Sequence, residues 1–586
     1  MEQPDWTLLA EQPGSLRGLD QAACNRAVVS AVRHGGATIV VSRVADMKWH
    51  MWMYFGQSNV PDNKKHLDFS RVPTQFVSSL KSAFYRWWMC GLPGKARPEA
   101  STLVAALNRV MPFLRWLDKQ KVQSLAAATA LHISSYVQSQ RDRGLAPSTL
   151  VTRLQEVQRL HLLREHCDDG LTVSPWAGSS ATLVAGFVSN GRDTHERRAQ
   201  TLVIPEPVVA GLFRHCESVV GSALELDGRG EPDAAVRDAV LFLLGITSGM
   251  RSEELLGIEV GCIRQDLVDG ETYTWLQSVE HKTKYGAGEW MVPADAVQWV
   301  TILEGWSAPL RARVTELLRN AESTPIEEMD ARELARHMKR IHRLRQDQKR
   351  LFLGLERRLG RPAALTNGAA NDGLKRVAAA AGVDWAPEAH QMRRTMAVLC
   401  AHHQLGDLLY LKKHLKHRSL DMTALYAMNP AQDEALFNEI FDALQEVKAG
   451  LIEHWLDPNT VLAGGAASGI KARQIATVGS RKELAEDIAD KVSIRATGHG
   501  WCLAQDDGCG GQGLYEKTRC VGCSDGLIDD RYQPVWQGIF EQQIELLDDA
   551  PMLGAGAQRR IRIDVEKSAR VLKDLGVAVD VPELAA

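Results

Sequence analysis

The sequence predicts a mainly α-helical, multidomain protein with a small antiparallel β-sheet. Three observations carry this expectation. Apolar residues recur at three- and four-residue intervals in segment after segment from residue 103 to 456, as amphipathic helices require. One pair of β-rich segments, TYTWLQSV (272–279) and EWMVP (289–293), flanks the Gly-containing stretch YGAG (285–288) and reads as a hairpin. Finally, 586 residues exceed what a single core organises, so three or four domains are expected.

Residues 1–95 form an accessory domain with two aromatic clusters, MKWHMWMYF (47–55) and FYRWWMCG (84–91), which read as core rather than as base-stacking surfaces. Residues 96–190 read as a bundle of short helices. LVAALNRVMPFLRWL (103–117) has helical spacing; ALHISSYVQSQRDRGL (130–145) stops at Gly144; and Ser148, after Pro147, is the expected N-cap of a helix over 148–166 carrying Arg153, Arg159 and Arg164. Residues 191–455 contain helices at 205–220, 236–250 and 436–456 around the hairpin. Pro458 and a Gly/Ala/Ser run then break the pattern and open a C-terminal extension, 456–586.

Hydrophobic content of 45% with 24% charged residues is that of a globular protein. The apolar run AVLFLLGI (239–246) is too short to span a bilayer, and the acidic start MEQPDWTLLAEQPG lacks the pattern of a signal peptide, so a cytoplasmic protein without a membrane partner is expected. A net charge of −3 excludes a uniformly basic coat for nucleic acid but not local phosphate contact. Between Arg332 and Arg361, eleven Arg or Lys face three acids. A solvated helical face and a phosphate-facing helix account for this run equally well. Cys24, Cys90, Cys167, Cys216, Cys262 and Cys400 are scattered and read as small buried hydrophobes.

The chemistry concentrates in a few polar residues. Arg251 lies in TSGMRSEELLGI, His390 and Arg393 in HQMRRTM, and His417 and Tyr426 in HLKHRSLDMTALY. Taken singly, each has an ordinary explanation: a surface arginine beside Glu254, an i, i+3 pair on one helix face, a half-buried tyrosine. Together they suit attack on a phosphodiester by a phenol, with arginines neutralising the non-bridging oxygens and histidines bonding to phosphate.

In that order and with those flanks, the chain resembles a tyrosine recombinase of the phage integrase family. TSGMRSEELLGI is similar to the family's first arginine box, HQMRRTM to its His-x-x-Arg box, and HLKHRSLDMTALY to its Leu-Gly-His-x-Ser-x-x-x-Thr-x-x-Tyr box, with Ser419 and Thr423 on matching positions. Lys416 stands where the family usually has glycine, and Arg394 where it more often has histidine. The resemblance is specific over 236–430, pattern-level over the helical bundle, and absent from 1–95. It implies a helical, SAM-like core-binding domain at 96–190 followed by an α+β tyrosine-recombinase catalytic domain at 191–455. It further implies Tyr426 as nucleophile, forming a 3′-phosphotyrosyl bond, with Arg251, His390, Arg393 and His417 activating the phosphate. A hairpin lysine would protonate the leaving 5′-oxygen. Lys282, which precedes a threonine, is preferred for that role, and Lys284, with the same facing on a strand, is its rival.

The phosphotyrosine conserves bond energy, and the sequence has neither a P-loop nor an acidic cluster for paired Mg²⁺, so no catalytic cofactor is expected. The implied partners are double-stranded recombination sites bound by a homotetramer, with directionality proteins or a companion recombinase, and the implied setting is a mobile-element integrase. The helix after Tyr426 is expected to pack either on its own catalytic domain or on a neighbouring protomer. A type IB topoisomerase resembles the same residues, and a non-catalytic DNA-binding regulator is the reading from another class.

The four remaining cysteines are spaced Cys502-x6-Cys509-x10-Cys520-x2-Cys523, among Gly508, Gly510, Gly511 and Gly513, with His499 as a spare ligand. Four thiolates suit a structural zinc site. Four free buried thiols are the alternative, which the shortage of apolar residues in the loop disfavours.

Overall fold

The computed structural model describes every residue except 1–2, 35, 56–59, 177, 187–200, 226–233, 269–270, 281–285, 357–359, 405–433, 506–516 and 582–586. The protein is mainly helical with small antiparallel sheets, as expected.

One hydrophobic cluster runs from Leu9 to Ala185, and residues on both sides of position 95 contribute to it. Strands Val28–His34 and Ala37–Arg43 form an antiparallel pair, with Gln3–Pro4 along the outer edge of the first. Helices Val77–Cys90, Ala100–Lys119, Ala130–Asp142 and Pro147–Leu162 complete this unit. The aromatic clusters are core: Trp49 and Trp88 are buried, and the Trp88 indole donates to the Val29 carbonyl at 2.9 Å. Thr129 caps its helix reciprocally with His132, and Gly144 follows the helix end with φ 64°. The N-cap of the next helix falls two residues earlier than expected. Pro147 occupies its first turn, where a missing N–H costs nothing, so Ala146 rather than Ser148 is the cap. Arg153 bonds to Gln140, Arg159 pairs with Glu156 over the Trp87 ring, and Arg164 bonds to the His161 carbonyl.

A second cluster spans Ile204 to Ala443. At its centre lies Ala234–Ser248, buried on every side from Arg237 onward and packed against Glu206–Glu225, Ala296–Glu322, Asn367–Ala380 and Ala389–Gln404. The hairpin is present as Glu271–Glu280 with Gly286–Val292, and Ile263–Val268 adds a third strand beside the first. Gly286–Gly288 pair with the opposing strand instead of forming the turn. Cys167, Cys216, Cys262 and Cys400 are buried as expected, whereas Cys24 is half-buried and Cys90 exposed.

The basic segment is neither a plain solvated face nor a free phosphate-binding helix. Met338, Ile341 and Leu344 of helix Ala331–Asp347 share a cluster with Val314, Leu318 and Ala321 of Ala296–Glu322 and with Val32, Ile39, Trp52 and Met53 of the N-terminal unit. Lys339 pairs with Asp62 at 3.0 Å, Arg343 with Glu356 at 2.7 Å and Arg345 with Glu322 at 2.5 Å. Arg350 bonds to the Gly257 carbonyl, and Arg361 pairs with Glu356 at 2.7 Å. Part of the local excess of positive charge is thus consumed within the fold by carboxylates from outside the segment.

A third cluster runs from Leu451 to Leu575. Its four-stranded sheet has the order Leu462–Ala463, Gly526–Asp529, Trp501–Cys502, Arg495–Ala496. Helix Glu434–Trp455 joins it to the second cluster, since Ile440 and Ala443 belong to one core and Leu451, Ile452 and Trp455 to the other. Among the described residues no helix is long and apolar enough to cross a membrane.

Candidate active site

The apolar helix Ala234–Ser248 ends because Gly249 takes φ 64°, a conformation that favours glycine, and the chain turns into Ser252–Leu255. Arg251 sits at this junction. Its backbone N–H and its Nη1 both donate to the Glu254 carboxylate, at 2.9 Å each, and Glu254 is itself buried. The Ser278 hydroxyl, on the first hairpin strand, donates to the Glu254 carbonyl at 2.7 Å and ties the sheet to the arginine turn. Farther along the sheet, Glu289 accepts from Gln277 at 2.8 Å and from Arg264 Nη2 at 2.7 Å. Burial alone raises the Glu289 pKa, but these donors bring it below its ordinary value.

His390 and Arg393 stand one turn apart on helix Ala389–Gln404, whose first N–H donates to Asn371 Oδ1 at 3.1 Å. His390 is exposed. Arg393 is buried, 1% exposed, with Nη1 donating to the Gly249 carbonyl at 2.9 Å and Nε to Glu439 Oε2 at 2.7 Å. This brings the second arginine onto the backbone of the turn that carries the first. The two helices approach closely at Gly245, where an added Cβ would lie 2.8 Å from Met392 Sδ.

Arg394 pairs with Glu446, so neighbouring arginines hold two carboxylates spaced two turns apart on Glu434–Trp455. Helix Glu434–Trp455 packs on the second cluster of its own chain, through Ile440, Ala443 and these two ion pairs. Glu439 and Glu446 had no signal in the motifs. Their seven-residue spacing opposite an Arg-Arg pair is the pattern by which they could have been found.

Lys282, Lys284, His417, Ser419, Thr423 and Tyr426 lie outside the described residues. Burial pushes Tyr136 and the Cys167 and Cys262 thiols up to about 12 and raises Tyr54 and Tyr85, which disfavours these five groups as nucleophiles.

Of the expected zinc ligands, Cys509 lies outside the described residues. Cys502 pairs across the sheet with Gly526, the Gly526 N–H donates to the Cys523 carbonyl at 3.0 Å, and the Cys523 N–H to the Cys520 carbonyl at 3.3 Å. The backbone therefore brings the strand of Cys502 alongside the CxxC turn. Among the described residues no group of three or more His, Cys, Asp or Glu is placed to hold a metal ion.

No family model and no curated protein matches the sequence. Among solved structures, the chain is similar to XerH site-specific recombinase bound to palindromic difH substrate in a post-cleavage complex, at 16% identity and a TM-score of 0.33, over 64% of this chain and 88% of that one. XerH in a pre-cleavage complex gives 15% identity and a TM-score of 0.32, over 64% and 88%. XerA recombinase gives 13% identity and a TM-score of 0.20, over 62% and 97%.

Proposed function

We propose that this protein is a site-specific DNA recombinase that cuts and rejoins duplex DNA through a 3′-phosphotyrosyl intermediate on Tyr426, in the integration or excision of a mobile element. The observation that supports this most is the 2.9 Å bond from Arg393 to the carbonyl of Gly249, 144 residues away in the chain and two residues before Arg251. Two sequence boxes that resemble one family's phosphate-binding motifs belong, through this bond, to one local structure. In the proposed mechanism the Tyr426 phenolate attacks the scissile phosphorus and the 5′-oxygen leaves. Arg251 and Arg393 stabilise the charge developing on the non-bridging oxygens, and His390 and His417 position the phosphate. Lys282 protonates the departing oxygen. The 5′-hydroxyl of a partner strand reverses the reaction, with four protomers assembled on two sites.

Trapping SDS-resistant protein–DNA adducts tests this function, using DNA that flanks the protein's own gene, in EDTA. The wild type forms an adduct, and Tyr426→Phe binds DNA but forms none. An adduct that survives Tyr426→Phe refutes the assignment of the nucleophile. Relaxation of supercoils without strand exchange assigns the chain to topoisomerase chemistry instead.

A further inference from the structure

We propose that Glu439 is a positioning residue for Arg393, an inference that rests on the phosphodiester-cleaving function proposed above. A guanidinium presents five N–H donors in one plane, so its orientation decides which of them meet a phosphate oxygen. Arg393 is 1% exposed, and two groups on opposite sides of the guanidinium fix its plane: the Gly249 carbonyl at Nη1 and the Glu439 carboxylate at Nε. The first contact sets Arg393 relative to the Arg251 turn, and the second prevents rotation about it.

The carboxylate is itself held in place. Ile440, next to it in the chain, is 1% exposed, Ala443 one turn on is fully buried, and Arg394 grips Glu446 two turns further along the same helix. Each candidate phosphate-binding arginine therefore has a carboxylate of its own, but from different sources. Glu254 comes from the adjoining turn, three residues from Arg251, whereas Glu439 comes from a helix 46 residues from Arg393. That helix follows Tyr426 in the chain, so Glu439 links the segment after the candidate nucleophile to the second arginine. Arg394–Glu446 joins the same two helices without touching the Gly249 turn, and it separates a positioning effect from helix clamping.

The test compares single-turnover adduct formation by full-length wild type, Glu439→Gln, Glu439→Asp, Glu446→Gln, Arg393→Lys and the Arg393→Lys/Glu439→Gln double variant. The duplex is the one used to trap the wild-type adduct, and thermal unfolding is followed in parallel. Misorienting one reacting group by about an ångström is enough to slow a reaction on the order of a hundredfold. Glu439→Gln is therefore expected to slow adduct formation by about tenfold to a hundredfold while DNA affinity stays within about twofold. Glu439→Asp recovers part of the rate, and Glu446→Gln keeps it. If Glu439 acts only through Arg393, the double variant is no slower than Arg393→Lys alone. Multiplying rate losses in the double variant, or a Glu439→Gln protein as fast as wild type, overturns the proposal and leaves the recombinase function standing. A folded wild type that forms no adduct overturns both.

Discussion

Asp529→Ala should loosen the C-terminal core without unfolding the rest of the protein. Asp529 is fully buried, and its Oδ2 accepts from the indoles of Trp455 at 2.9 Å and Trp501 at 3.0 Å and pairs with Arg531. Trp455 ends the helix that begins at Glu434, so this carboxylate joins that helix to the C-terminal sheet. Removing it leaves two buried N–H donors without an acceptor, at about 1–3 kcal/mol each. The Arg531 side chain is 42% exposed, and its ion pair adds little. Relief of the carboxylate's own desolvation works the other way, but breaking a buried pair from one side is net destabilising by about 3–5 kcal/mol, and that is the magnitude expected. Native-state hydrogen exchange suits a chain with several cores, where a single unfolding midpoint is not defined. Protection should fall by about three orders of magnitude in peptides covering 451–456 and 526–532, since each 1.4 kcal/mol is a factor of ten. Protection in the Ala234–Ser248 helix should not change. Asp529→Asn, which keeps an acceptor oxygen, should lose less. An Asp529→Ala protein that loses under about 1 kcal/mol, or that loses protection equally in 234–248, would refute the claim that this node holds together a C-terminal core separable from the second one.

Two further outcomes follow from buried and clustered groups. Burial lowers the pKa of Lys65 to about 8 although Asp62 and Asp347 oppose the shift, so between that value and its ordinary 10.5 the unfolded chain holds a proton that the folded one has released. Stability of the N-terminal unit should therefore rise with pH across this window, and Lys65→Met should flatten the rise; urea titrations of both proteins at pH 7.5 and 10 check the sign. For the cysteine cluster, we propose a structural zinc held by Cys502, Cys509, Cys520 and Cys523. Metal analysis of the purified protein should give about one zinc per chain, and Cys520→Ser should lower it; a metal-free wild type would return these four residues to free thiols.

Local patterns carried what was legible in the sequence. Glu206–Glu225, Ala234–Ser248 and Glu434–Trp455 lie where the 3.6-residue spacing places helices, because each buries an apolar stripe or is buried all round. The hairpin was legible from its β-rich strands, but the strand Ile263–Val268 was not. Its sequence IRQDLV puts Arg264 and Asp266 on a partly exposed edge, where no apolar alternation marks it. Ser148 failed as a cap because Pro147 satisfies the first turn by lacking the donor that a cap would serve. In the candidate site, the flanks of Arg251 and Arg393 marked them as candidates, but not that Arg393 would reach the carbonyl of the Arg251 turn. The Arg393–Glu439 ion pair had no such signal, since it exists only once two helices distant in sequence are packed.

The basic segment shows why charge counted along a sequence misleads. Eleven cations against three acids within 332–361 look like a surface waiting for phosphate. Yet Asp62 and Glu322, two of the carboxylates that neutralise it, come from outside the window, one from far upstream. Hydrophobic packing sets this arrangement. Met338, Ile341 and Leu344 recur at three-residue intervals on one face of the helix, and once that stripe is buried against Val32 and Trp52, Lys339 is carried to Asp62. The arginines on the opposite face, Arg332, Arg336 and Arg340, remain exposed and form no ion pair among the described residues. A long basic run thus divides by helical phase into a docking face and a solvent face, and only the second is available to a polyanion.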